Sequence, residues 1–493
     1  MIVVKNGAIT LSEKNLNKKI RAATKWSTTA EIISKLIGPI TNMILARILA
    51  PEAFGVIATI TMIISFTEML TDSGFQKFLV QREFKDKREK YRNADVAFWS
   101  NLILSLSILL VIIIFNKQIA HMVGNPGLGY VLIVASLQIP LTSFSSIQMA
   151  LYRRNFDFKT LFFVRIIGAL IPFFVTIPLA LLGLNYWSLI IGMIIMQTFN
   201  AIFLTIKSDW KPSFYYNFTI IREMISFSVW SFLEALTKWL CIWIDTFIIS
   251  YYLTEYYLGI YKTSTIMVNS LLSLVTGAII PVLFAALSRL QNNNVEFKKM
   301  YFKFQRLIAL FVLPMGAGLL LFSDLATMII LGSQWSEASN VIGAWAASRA
   351  ILIVFGYTAS EVYRSKGMPK YSFYAQLLHL IVLVPTCVIA IKFGFWPLVY
   401  ARSIIIIQLV LVHLVLLQRL FDITILNTIK NILPNIIAVT LMSSLALAML
   451  KYMNSTISMF ITILVCAIFY FLIILLFPKN RVELFGFIKE IKP

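Results

Sequence analysis

Fourteen apolar runs, each about 20 residues long and so matched to a bilayer crossing, follow one another along the chain. They lie near 26–48, 54–75, 94–115, 128–150, 160–182, 186–206, 223–250, 258–285, 303–323, 338–359, 371–391, 395–417, 431–451 and 456–477. In lipid, only a helix or a closed barrel satisfies its own backbone hydrogen bonds, and runs this long are too long for barrel strands. The chain is therefore predicted to be an all-α polytopic membrane protein with about fourteen transmembrane helices. Composition agrees: of 493 residues, 59% are hydrophobic and 13% charged, and the mean hydropathy of +0.83 lies far outside the range of soluble domains. Prolines inside the spans, among them Pro39, Pro140, Pro172, Pro178, Pro281, Pro314, Pro385 and Pro434, mark places where such helices bend.

The segments between runs alternate sharply in Lys and Arg. One set carries Lys14, Lys18, Lys19 and Arg21, then Arg82, Lys85, Lys87, Arg88, Lys90 and Arg92, then Arg153, Arg154 and Lys159. It continues with Lys207 and Lys211, Lys298, Lys299 and Lys303, Arg364, Lys366 and Lys370, and ends with Lys479 and Arg481; the other set holds little beyond Lys117, Lys392 and Lys451. The positive-inside rule puts the first set, and with it both termini, in the cytoplasm. The net charge of +21 thus has a topological cause, and with no polar domain to gather it the charge does not indicate nucleic acid. The polar N-terminus lacks the succession of a cleavable signal peptide, so insertion is expected to begin with the first helix.

Several kinds of chemistry find no support. Cys241, Cys387 and Cys466 lie in apolar segments without paired spacing, and His121, His379 and His413 are scattered, so neither a disulfide framework nor a metal site is indicated. There is no phosphate-cradling Gly-rich loop and no nucleophile elbow. The loops are short, the longest near 76–93, which leaves no room for a soluble catalytic domain. The expectation is a protein that is not an enzyme and needs no cofactor, with energy from a proton or sodium gradient if it is a transporter.

Seven cations sit within the spans: Lys35, Arg47, Arg165, Lys238, Lys262, Arg349 and Arg402. Facing lipid at mid-depth, each would cost roughly 2.5–3.5 kcal/mol and the set on the order of 20 kcal/mol. They must face protein or water. Glu31 with Lys35 and Glu234 with Lys238 stand four residues apart, on one face of their helices. Each pair reads either as a neutralising ion pair or as the polar wall of a cavity. The isolated Arg165, Arg349 and Arg402 carry the planar fork that suits phosphate oxygens, although Arg165, near a helix start, also has a snorkelling interpretation. Lys35, Lys238, Arg349, Arg402 and Arg165 are thus candidates for a cationic substrate cavity with Glu31 and Glu234 on its wall. Among the acids, Asp245, Glu68 and Asp72 are candidates for ion coupling or are partners of neighbouring Arg residues; Asp245 stands out because its own segment, Trp243 to Tyr251, offers no adjacent cation. Trp239, Trp243 and Trp345 are candidates for stacking on sugar rings.

The chain also repeats itself. An offset of 204 places Trp26, Ser27, Leu36, Ile40, Ile44, Leu49 and Gly55 on Trp230, Ser231, Leu240, Ile244, Ile248, Leu253 and Gly259, and an offset of 211 places Tyr152, Arg153, Lys159 and Gly183 on Tyr363, Arg364, Lys370 and Gly394. This predicts a basic cytoplasmic N-terminus over 1–25, an N-lobe of helices 1–6 over 26–210, a C-lobe of helices 7–12 over 211–420, and two further helices with a cytoplasmic tail over 421–493. Parallel repeats of this kind place the substrate path between lobes, where rocking gives alternating access.

Particular segments resemble a known family. The run Ala46-Arg47-Ile48-Leu49-Ala50-Pro51-Glu52-Ala53-Phe54-Gly55, the Asp72-Ser73-Gly74-Phe75 segment leading to Gln81, and Arg153-Arg154 followed by Phe156 are similar to segments of polysaccharide transport exporters. So are Leu258-Gly259-Ile260-Tyr261, Pro281-Val282-Leu283-Phe284 leading to Ser288-Arg289-Leu290, and Gly332 followed by Trp335. The likeness spans roughly 20–400 and points to Wzx-type flippases of the multidrug/oligosaccharidyl-lipid/polysaccharide superfamily, close to the colanic acid exporter branch. It implies a bacterial inner-membrane exporter that moves polyprenyl-pyrophosphate-linked oligosaccharide units to the outer leaflet for O-antigen, capsule or exopolysaccharide synthesis, with polysaccharide polymerase and chain-length machinery as partners. The alternatives are a multidrug or peptidoglycan-precursor transporter of the same superfamily, a membrane-embedded glycan polymerase, and a scaffold. Interior cations disfavour export of cationic drugs, and short loops disfavour a polymerase.

Overall fold

The computed structural model describes residues 36–72, 74–452 and 455–481, with Trp26, Thr29, Ile33 and Ser34; side chains are described for these apart from residues 72, 226–231, 234 and 278. Among the described residues the regular structure is helical throughout. The helices are α1 (Leu36–Ile48), α2 (Pro51–Asp72), α3 (Phe75–Gln81), α4 (Lys87–Met122), α5 (Pro126–Arg154), α6 (Phe158–Leu181), α7 (Tyr186–Lys207), α8 (Phe218–Tyr252), α9 (Glu255–Arg289), α10 (Asn294–Leu321), α11 (Ser323–Ile330), α12 (Ala338–Ser365), α13 (Lys370–Ile391), α14 (Phe395–Phe421), α15 (Ile425–Leu450) and α16 (Thr456–Leu475).

Twelve of these are long and apolar enough to cross a membrane. The two remaining expected spans, 26–48 and 223–250, fall on α1, whose predicted first half lies largely outside the described residues, and on the 35-residue α8. Helix α4 begins seven residues before its expected span, because Lys87–Arg92, expected in a loop, are helical and capped by Asp86, whose carboxylate accepts from the Glu89 amide at 2.7 Å. At the other end the expected boundary, Phe115, is a kink (φ −105°, ψ 21°) after which a second helical segment runs to Met122. Hydropathy sees only the part of a helix in hydrocarbon, whereas the backbone ladder continues into water wherever a cap supports it.

The chain divides into two compact units, residues up to 49 with 59–236, and 50–58 with 237–493. In the first unit, α5 packs on α4 and α7. Phe75, Phe78, Leu79, Phe98, Ile147 and Trp210 form an aromatic-rich core at one end. Two residues of the family-like segments explain themselves here. Arg153 donates to Gln76 Oε1 at 3.0 Å, and Arg154 gathers the carbonyls of Leu79 (3.0 Å), Val80 (3.1 Å) and Arg82, closing the C-terminus of α3. Orphan carbonyls at a helix end need such a donor. On the same unit, buried Asp95 accepts from Trp210 Nε1 and the Ser213 amide, both at 3.0 Å, and fastens the connector after α7 onto α4.

In the second unit α12 is central, packed by α9, α10 and α14; 72% of its apolar stretch is buried, against 28% in α15 and α16, which leaves those last two helices mostly to lipid. They are joined to the unit through Met442, Ala446, Cys466 and Tyr470, whose hydroxyl donates to the Leu310 carbonyl at 2.8 Å. The start of α2 belongs to this unit as well. A Cβ on Gly55 would stand 1.9 Å from the Glu255 carbonyl oxygen, and one on Gly259 would stand 1.8 Å from that of Pro51. The two glycines that the 204-residue offset aligns thus each face the backbone of the other's helix, and neither position admits a larger residue.

Candidate functional site

Helix α8 presents Lys238, Cys241 and Asp245 at helical spacing, so the three share a face. Opposite them stand Arg402 of α14, Trp345 and Arg349 of α12, and Tyr261 and Lys262 of α9. Lys238, Cys241, Arg349 and Arg402 line a cavity of about 540 Å³ with Asn269, Gln376, His379 and His413.

Arg402 is the hub. Its Nε donates to Asp245 Oδ2 at 2.9 Å, with side chains 5% and 4% exposed, and its Nη2 reaches the Cys241 carbonyl at 3.4 Å. Asp245 also accepts from Tyr261 Oη at 2.8 Å and from the Thr246 amide at 2.7 Å. The Thr246 hydroxyl adds a fourth, longer contact at 3.3 Å, and a buried carboxylate with these donors orients the guanidinium. The guanidinium keeps one group in reserve, because Arg402 Nη1 finds no hydrogen-bond partner among the described residues, and the same holds for the buried Arg349 Nε.

Like charges gathered in a membrane need a compensating surface, and Trp345 supplies one. The guanidinium carbons of Arg349 and Arg402 lie 4.6 and 5.2 Å from its ring centroid, and its indole nitrogen points to Asn269 Oδ1 at 3.4 Å. Nearby, Lys262 Nζ sits 3.6 Å from the Trp243 centroid and 3.2 Å from Thr246 Oγ1. These contacts attract cations to aromatic faces when water is excluded. Trp243 and Trp345, expected as sugar platforms, therefore hold protein cations on their rings. Lys262, Arg349 and Arg402 gather around the Asp245 carboxylate, with Lys238 on the wall of the adjoining cavity, a positive environment fitted to an anion.

Three of the five expected cavity cations, Lys238, Arg349 and Arg402, meet at this cavity. Arg165 does not join them: it lines a different cavity of about 620 Å³ in the first unit, with Ser34, Arg153 and Asn200. Lys35 and Glu31 lie outside the described residues, as do the side chains of Glu234 and Asp72. Glu68 lines a cavity of the first unit. Asp245, chosen because its own helix offered no neighbouring cation, has one from α14, a partner 157 residues away. Sequence reasoning missed Tyr261 as a clamp on Asp245. It also missed the convergence of His379 and His413, buried and bonded to Gln408 (3.0 Å) and Tyr363 (3.2 Å). Their separate positions in the sequence gave no spacing signal.

The family described as polysaccharide biosynthesis protein matches residues 44–340. The chain is 25% identical over 335 residues, 68% of its length and 67% of the relative's, to the succinoglycan biosynthesis transport protein ExoT of Rhizobium meliloti (strain 1021). It is 19% identical over 385 residues, 76% of each protein, to the lipopolysaccharide biosynthesis protein WzxC of Escherichia coli (strain K12). Among solved structures its fold is similar to the lipid II flippase MurJ in an inward closed conformation, with a TM-score of 0.76, 16% identity, and 92% of this chain and 99% of that one covered. It is also similar to an inward-facing multidrug resistance MATE family transporter, with a TM-score of 0.62, 14% identity, and 81% and 98% covered.

Proposed function

The chain belongs to the polysaccharide biosynthesis protein family, and from that premise we propose that it is an exporter of lipid-linked saccharide. It carries polyprenyl-pyrophosphate-linked oligosaccharide units from the cytoplasmic to the outer leaflet by alternating access. The observation that carries this reading is the pair of guanidiniums on Trp345, each with a buried nitrogen that has no hydrogen-bond partner among the described residues, at or beside one cavity. A polyprenyl pyrophosphate esterified with sugar is a dianion, and its lost hydration is compensated by charge-assisted hydrogen bonds from Arg349 and Arg402 and by the ammonium of Lys238. The name of one relative, a succinoglycan biosynthesis transport protein, and that of another, a lipopolysaccharide biosynthesis protein, support the same assignment.

The finer parts of the reading are these. The protein sits in a bacterial inner membrane with both termini cytoplasmic, as the distribution of Lys and Arg supports, and it delivers its cargo to polymerase and chain-length machinery. Lys35 and Arg165 are further cations on the substrate's route, and Glu31 and Glu234 are polar neighbours. Transport is coupled to a proton or sodium gradient through Glu68, Asp72 or Asp245, and a proton reaching Asp245 must first loosen Arg402. No cofactor is required.

The test is cellular. In cells whose own gene is deleted, Arg349→Gln and Arg402→Gln proteins at normal abundance should leave lipid-linked saccharide in the cytoplasmic leaflet and surface polysaccharide absent. Normal surface polysaccharide with the double variant refutes the assignment of these residues.

A further inference from the structure

The first unit contains a cavity whose chemistry is the opposite of the cationic one. It encloses about 470 Å³, within the size range of small-ligand sites, and its polar lining is dominated by neutral hydroxyls and amides. Three of its lining residues, Thr142, Ser145 and Ser146, come from one stretch of α5, Thr142-Ser143-Phe144-Ser145-Ser146-Ile147-Gln148, where five of seven side chains form hydrogen bonds. Part of this polarity is spent on packing: Ser143 bonds Ser105 at 2.7 Å, and Asn101 of α4 donates to Ser146 at 3.0 Å. Such bonds join helices in a membrane.

The rest is not used up in that way. Thr142 and Ser145 donate to carbonyls of their own helix, Ile139 at 2.7 Å and Thr142 at 3.1 Å, which leaves their hydroxyl oxygens able to accept. Gln76 has its oxygen occupied by Arg153 at 3.0 Å, and Gln197 has its oxygen occupied by Asn200 at 3.3 Å, so both amide nitrogens remain to donate. The cavity therefore offers donors and acceptors together, with Met149 and Phe232 as apolar wall. A sugar needs that combination, since each hydroxyl donates and accepts while the ring presents C–H faces. Glu68 and Lys77, one charge of each sign, also line the cavity, so its wall carries no excess positive charge to draw a phosphate.

We propose that this cavity is a carbohydrate site that takes the uncharged sugars of the lipid-linked saccharide. The inference rests on the exporter reading and extends it by separating recognition of the sugar, in the first unit, from recognition of the anion, in the second.

The experiment uses the full chain in nanodiscs and two probes: farnesyl pyrophosphate, which has no sugar, and the lipid-linked saccharide extracted from cells lacking this protein. The wild type should bind the saccharide-bearing probe at least tenfold more tightly. Gln76→Leu with Gln197→Leu should remove most of that increment and leave farnesyl pyrophosphate affinity within twofold of wild type. Arg402→Gln should weaken both probes. Thr142→Val keeps the side-chain shape, so it guards against misfolding, and it should reduce the increment severalfold. Equal affinity of the wild type for the two probes overturns the carbohydrate site, and so do glutamine variants that affect both probes alike or neither. Failure of the wild type to bind either probe refutes the exporter reading and this inference with it. If sodium alone raises the melting temperature of the wild type but not of Glu68→Gln, and the glutamine variants leave saccharide affinity intact, the cavity is a cation site and the proposal is wrong.

Discussion

The Arg402–Asp245 pair is expected to be coupled in stability, and its contribution to stability is expected to be separable from its role in transport. Their contact is 2.9 Å long between side chains 5% and 4% exposed. Removing one member leaves a buried charge uncompensated, which costs about 3–5 kcal/mol, whereas replacing both by neutral groups is often close to neutral. Arg402→Met leaves Asp245 with Tyr261 and Thr246 as donors, too little for a carboxylate in this setting, so a loss near the lower end, about 3 kcal/mol, is expected. Asp245→Asn places Arg402 among Arg349 and Lys262 without a counter-ion and should cost a similar amount. The double variant should recover most of the stability, giving a coupling of about 3 kcal/mol in a double-mutant cycle. SDS titration in mixed micelles, followed by tryptophan fluorescence, measures this. Transport should stay lost in the double variant, because the reserve Nη1 donor is gone. A purely structural pair predicts that both stability and transport return, and that result would refute the anion-binding role of Arg402.

Other expectations follow from the same geometry. Trp345→Leu should weaken farnesyl pyrophosphate binding by about tenfold, in line with loss of one or two desolvated cation–π contacts at about 1–2 kcal/mol in total, whereas Trp345→Phe should retain most of the affinity; calorimetric titration distinguishes them. Gly55→Ala and Gly259→Ala each drive a Cβ to within 2 Å of a carbonyl oxygen, so each should cost more than the roughly 1–3 kcal/mol of ordinary overpacking and lower the yield of monodisperse protein, while Gly318→Ala, where a Cβ meets nothing, should not. Arg154→Ala should free the end of α3 and speed proteolysis at 82–86, because hydrogen bonds to a charged donor worth about 1.5–3 kcal/mol each are lost.

The sequence makes the helical plan legible because the bilayer imposes one length on every span. Gly55 and Gly259, which the 204-residue offset aligns, each have a steric reason to be glycine in the structure. Side-chain partnerships were far less legible. Asp245 and Arg402 each looked isolated on its own helix, since a neighbour from α14 leaves no trace in the local sequence of α8. Arg165 was grouped with Arg349 as a cavity candidate although it lies nearer a helix start, because charge and depth can be read from a sequence, whereas the cavity a side chain enters depends on helix rotation. The Ser- and Thr-rich stretch of α5 was present throughout, but hydropathy reads it as a weaker span rather than as a wall.

Transfer between leaflets tests the central claim most directly. The purified protein is placed in liposomes with a fluorescent polyprenyl-pyrophosphate saccharide, and its movement is followed by quenching from outside, with and without proton, sodium and electrical gradients. The account predicts protein-dependent transfer that falls at least tenfold in the Arg349→Gln, Arg402→Gln double variant. It also predicts acceleration by a potential that draws a dianion across, since each charge gains about 2.3 kcal/mol per 100 mV. Folded protein that moves no saccharide under any gradient, or a double variant that moves it at the wild-type rate, would contradict the account.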